Sequence, residues 1–72
     1  MHYKYIQAIK RYYPEAHFRR QKYGGFGVYL HSDSTDDESV CAERTRPGAG
    51  KRAYHILVHE GSMPYVLGCE GD

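Results

Sequence analysis

Apolar side chains recur at three- and four-residue spacing through the first dozen positions, then at two-residue spacing in two later stretches. Tyr5, Ile9 and Tyr12, with Ile6 and Tyr13 beside them, line one side of a helix predicted over 2–13, and Lys4, Gln7, Lys10 and Arg11 fill the other. Pro14 stops it, because the residue before a proline is pushed away from helical angles. Phe26, Val28 and Leu30 then alternate with Gly27, Tyr29 and His31, the pattern of a strand. Residues 16–23 and 26–31 are expected to pair as a hairpin around Gly24-Gly25, since a two-residue primed turn needs positive φ. That register sets Tyr23 opposite Phe26, Arg20 opposite Tyr29 and Phe18 opposite His31. It also leaves Arg19 and Gln21 on the face of Val28 and Leu30, a conflict tolerable only on an edge strand.

A short helix is predicted over 35–45. Thr35 caps it and Glu38, three residues on, completes a capping box. Pro47-Gly48-Ala49-Gly50 reads as a flexible loop. Tyr54, Ile56 and Val58 alternate with His55, Leu57 and His59, so 52–59 and 64–69 are expected to form a second hairpin around Gly61-Ser62. The sum is an α+β domain spanning 1–72, ordered α-β-β-α-β-β. Two hairpins make a four-stranded antiparallel sheet, and both helices pack on one face.

This arrangement has a consequence on the reverse of the sheet, where Tyr29, His31, His55, Leu57, His59 and Val66 would gather beside Phe18, Arg20 and Lys22. A solvated sheet face should be mostly polar. A mixture of aromatic, aliphatic and histidine side chains suits an interface core better.

Composition narrows the options only modestly. Folding 72 residues removes only about 60% of the unfolded chain's surface from water, so the core is thin. Tyrosine is abundant, at 8 residues, and tryptophan absent; tyrosine's apolar body and polar tip suit half-buried positions and interfaces. The net charge of +1 gives no bulk argument for nucleic acid. The charges are nevertheless blocked: bases dominate 1–25 and 44–53, and acids fill 33–43. No apolar run reaches the length of a membrane span, so a cytoplasmic chain with free thiols at Cys41 and Cys69 is expected.

No motif names a reaction. His55 and His59 have the spacing of a zinc-finger histidine pair, but on a strand they would stand about 13 Å apart at ~3.3 Å per residue, so no metal and no cofactor is expected. Residues 45–52 resemble a phosphate loop but lack its first glycine and its final Ser/Thr. His31 with Tyr29 and Arg20 is the constellation that suits ribonuclease chemistry. The helix–hairpin opening is similar in topology to small double-stranded-RNA-binding-like toxins, a likeness that carries over no residue.

The leading expectation is a non-enzymatic protein-binding module or inhibitor, docking on itself or another protein through Tyr29, His31, His55, Leu57, His59 and Val66. Phage- or mobile-element-encoded inhibitors such as anti-CRISPR proteins suit this size and type. The alternative is a nucleic-acid-binding domain using Arg20, Lys22, Arg46, Lys51 and Arg52, and a His-dependent ribonuclease is third. No membrane partner is expected.

Overall fold

The computed structural model describes residues 4–22 and 24–66. Their order is α1 (Lys4–Tyr12), β1 (His17–Arg20), β2 (Phe26–Tyr29), a single 3-10 turn (Asp36–Glu38), β3 (Ala42–Glu43) and α2 (Arg46–His59). The three strands form an antiparallel sheet with β2 in the centre, and the two helices cover one face of it.

The first helix follows its sequence pattern. Ile6, Ala8 and Ile9 are buried and Lys10 and Arg11 occupy the last turn, where cations complement the helix dipole. It ends at Tyr12, two residues before Pro14. The predicted positions 2 and 3 lie outside the described residues.

The first hairpin forms in a different register. His17 pairs with Tyr29, Phe18 with Val28, Arg19 with Gly27 and Arg20 with Phe26. The connection is five residues long rather than two. Gly24 N–H donates to the Gln21 carbonyl at 3.0 Å, and Gln21 N–H to that of Gly25 at 3.1 Å. Both glycines have positive φ, at 98° and 79°, so they trail the turn instead of forming its centre. The register moves by three residues, and an odd shift exchanges the faces of the partner strand. Phe18 thereby joins Val28 beneath the helices, and Arg19 leaves that face. The conflict created by a two-residue turn disappears.

Only one turn of the helix predicted over 35–45 forms. Glu38 still accepts the Thr35 N–H at 2.8 Å, so the cap exists. Val40 N–H, however, bonds the Val28 carbonyl at 2.8 Å, drawing the chain back to β2, and Ala42 and Glu43 add the third strand.

The largest correction concerns 46–59, which is one helix and not a loop followed by a strand. Thr45 caps it: its Oγ1 accepts the Gly48 N–H at 3.1 Å, and Pro47 sits in the first turn, where its missing N–H costs nothing. Ala49, Gly50, Ala53, Tyr54 and Leu57 are its buried residues, a helical stripe that the period-two alternation of Tyr54 to His59 concealed. Gly61, at φ 81°, terminates it. Gly61 N–H bonds the Val58 carbonyl at 3.1 Å and Ser62 N–H that of Leu57 at 2.8 Å, the paired bonds of a Schellman stop. The second hairpin is therefore absent over 52–59. Residues 64–66 are not a strand, and 67–69 lie outside the described residues.

The core sits between the sheet and the helices. Ile6, Ile9, Val28, Ala49, Ala53, Tyr54, Leu57 and Met63 are buried together. Small residues on the inner face of α2 let it approach closely; a Cβ built on Gly50 would already touch Phe18, at 3.4 Å, and Tyr5, at 3.6 Å.

Candidate functional site

The reverse face of the sheet is not the oily surface expected from sequence. Tyr29 does point away from the helices, yet it is fully buried. His17, its cross-strand partner, stacks on its ring with centroids 5.7 Å apart and planes at 20°. The Arg19 guanidinium lies 4.2 Å above the ring, and Gln21 Nε2 donates to its hydroxyl at 3.0 Å. His17 is fixed in turn, with Nδ1 2.8 Å from the Glu15 carbonyl and Nε2 3.3 Å from Arg19 Nη2. Arg19 also reaches Asp36, at 3.3 Å. Gly27, next to Tyr29 on this face, leaves the space that Tyr29 and Gln21 use. Cation, imidazole and amide together form a polar lid over one tyrosine.

The residues expected to share that face are dispersed. Leu57 is a core residue on α2. Val66 is half-buried and lies beside Lys4, Gln7, Ala8 and Arg11. His31 is exposed just past β2, edge-on to Tyr13 at 6.4 Å. His55 and His59 are exposed on α2. The docking surface predicted from two hairpins has no counterpart, because half of it belongs to a helix. The Tyr29, His31 and Arg20 grouping is likewise broken: in the observed register Arg20 sits with Phe26, on the opposite face from Tyr29.

The basic positions fare differently. Arg46, Lys51 and Arg52 all lie exposed on α2, which contains no acidic residue. The Arg46 guanidinium covers the Phe26 ring at 5.0 Å. Phe26 faces Arg20 across the hairpin, and Lys10 and Phe18 line the same cleft. Lys22 belongs to the β1–β2 turn. Gly25 of that turn lies against the backbone just ahead of α2: a Cβ built on it would stand 2.8 Å from the Glu43 carbonyl oxygen and 3.9 Å from Arg44 Cα. Arg44, exposed at this junction, was not singled out in the sequence, although the run from Arg44 to Arg52 marks it.

A shallow groove of about 410 Å³ runs along the outer side of α2, lined by Glu43, Lys51, Arg52, His55, Ile56 and His59. Glu43 pairs with Arg52 across it at 3.4 Å. The acidic segment meets both basic stretches, with Asp36 on Arg19 at 3.3 Å and Glu43 on Arg52 at 3.4 Å. Cys41 carries a free thiol that donates to the Ala49 carbonyl at 3.2 Å. Burial, aided by Glu43, raises its pKa above the ordinary thiol value. Cys69 lies outside the described residues.

Among the described residues no helix is long and apolar enough to cross a membrane, and no group of three or more His, Cys, Asp or Glu side chains is placed to hold a metal ion. Set against protein families, curated proteins and solved structures, the chain matches none of them.

Proposed function

We propose that the protein is a binding domain for the phosphate backbone of a double-stranded nucleic acid, contacted by the outer face of α2 and the adjoining β1–β2 turn. The observation that carries this reading is the exposed Lys51 and Arg52 on the outer side of α2, with Arg44 exposed just before the helix and Arg20 and Lys22 in the hairpin packed against its start; Arg46 is turned over Phe26, and Arg52 is shared with Glu43. Basic side chains on a rigid element can track phosphates at fixed spacing.

The covering of Tyr29 supports a duplex over a single strand as the ligand. Single-strand binders present aromatic faces on which bases stack. The ring of Tyr29 on the sheet is covered by Arg19 and His17, so the sheet offers no such platform there, which supports backbone contact. Docking on a protein through the sheet loses its support for the same reason, and the separation of His31 from Arg20 and Tyr29 favours binding over catalysis.

Anisotropy titration of a labelled 20-base-pair duplex across a salt series tests the proposal. Affinity is expected to fall roughly 40- to 150-fold between 50 and 200 mM salt if three or four phosphates are neutralised. Lys51→Ala and Arg44→Ala should each lower the slope by about one unit. Salt-independent binding, a preference for single strands, or no effect of either substitution would overturn it.

A further inference from the structure

The helical state of 46–59 reverses the argument that separated His55 from His59. On a strand the two rings would stand too far apart to share an ion. On α2 they occupy positions i and i+4, where Cβ atoms lie about 5–6 Å apart. Two imidazoles at that spacing can place nitrogens on one ion at about 2.0–2.1 Å, and zinc-protease helices draw two of their ligands from the same spacing. Both rings are exposed, and both line the outer groove.

Three features favour a cation there. The backbone beneath His59 is held by the C-terminal stop, with Glu60 N–H on the Ile56 carbonyl at 3.0 Å and Ser62 N–H on that of Leu57 at 2.8 Å, so little freedom is lost when the pair closes on an ion. His55 is further restrained by the edges of Tyr5 and Tyr54, at 5.8 and 5.6 Å. The pair also sits in the last turns of α2, where the helix dipole is negative. Lys51, one turn before His55, opposes a cation, whereas Arg52 is engaged by Glu43.

We infer that His55 and His59 chelate one divalent transition-metal ion of the imidazole-preferring class (copper, nickel or zinc) as a two-nitrogen surface site whose remaining positions are taken by water. Imidazole ligation follows the order in which copper exceeds nickel and zinc, and excludes the oxygen-seeking magnesium and calcium. The inference does not depend on nucleic-acid binding.

Calorimetric titration of the tag-free full chain with nickel and zinc chloride tests it. One ion per chain is expected. His55→Ala or His59→Ala should each weaken binding at least tenfold, and the double variant should bind more weakly still, because each single variant keeps one imidazole donor. Adding Lys51→His to the His59→Ala background recreates the four-residue spacing with His55 and should restore affinity to within about threefold. Circular dichroism confirms that each exposed substitution leaves α2 folded. Binding that survives His59→Ala, binding absent from the unmodified chain, or a failure of Lys51→His to restore it would overturn the inference.

Discussion

Gly27 offers a sharp test of the polar lid over Tyr29. Its φ is not positive, so its backbone would accept any residue and only space forbids a side chain. A Cβ at this position would stand 2.6 Å from Gln21 Nε2, 3.1 Å from Tyr29 Cε1 and 3.2 Å from the Cys41 carbonyl oxygen. The Gln21 amide can swing away at the loss of its bond to the tyrosine hydroxyl. The ring and the carbonyl, fixed in the sheet and its continuation, must be pushed. Overpacking of this kind costs about 1–3 kcal/mol, while replacing a strand glycine recovers about 0.5–1 kcal/mol of backbone entropy. Gly27→Ala should therefore destabilise by about 1–2 kcal/mol, which for a domain of this size lowers the melting temperature by about 4–16 °C. Gly50→Ala is the matched control. Its Cβ would meet Phe18, Tyr5 and Ile6 at 3.4–3.7 Å, ordinary contact distances, and it replaces a helix-interior glycine, so it should stabilise by up to about 1 kcal/mol. Thermal and urea unfolding followed by circular dichroism measures both. A Gly27→Ala variant as stable as the parent would refute the packing of Tyr29 and Gln21 over this position.

Leu57→Ala should cost about 2–5 kcal/mol, a large share of the roughly 4–11 kcal/mol expected for 72 residues; a surface effect below 0.5 kcal/mol in urea unfolding would return residue 57 to an exposed strand. Thr45→Ala removes the cap of α2 and should cost about 1 kcal/mol, read as a lower urea midpoint; an unchanged midpoint would deny the cap. Cys41, held protonated by burial, should react with iodoacetamide more slowly than in the guanidine-unfolded chain at pH 8. The stability it contributes is complete below the unfolded thiol's pKa and is lost as pH rises through the higher folded value, so Cys41→Ala should flatten the alkaline limb of a stability–pH profile; an unaltered limb would contradict this.

Legibility followed the physics of each element. The first helix was readable because its apolar spacing and Pro14 agree. The β1–β2 hairpin was readable in existence and in the facing of β2, but not in register. The glycine pair admits both a two-residue turn and a longer one, and hydrophobic pattern breaks the tie only through Arg19, which has no place under the helices. Thr35 and Glu38 announced a helix start correctly. What limits that helix to one turn is a tertiary bond, Val40 to Val28, which no local signal contains. The region 46–59 misled because its inner stripe is built largely from alanine and glycine, whose weak hydropathy is outweighed by the alternation of Tyr54 to His59. Thr45 and Pro47 marked the helix start, and Gly61 its end, as clearly as they mark loops. Of the two expected surfaces, Arg46, Lys51 and Arg52 stay on one element because they are near neighbours in sequence, though they point to different sides of it. The sheet face failed because it required two hairpins to be right at once.

The same composition that hid α2 sets how it packs. A helix with large apolar residues on its inner face stands off from the sheet. With Ala49, Gly50 and Ala53 buried there, α2 settles closely against Phe18 and the first helix, and Tyr54 and Leu57 complete its buried face. The outer face is then unconstrained by folding. Arg46 covers Phe26 and His55 packs on Tyr5 and Tyr54, whereas Lys51 and His59 are exposed on this outer side. Replacing Lys51 or Arg44 should accordingly change duplex binding while leaving the unfolding free energy within about 0.5 kcal/mol of the parent, the reverse of the pattern expected for Gly27 and Leu57.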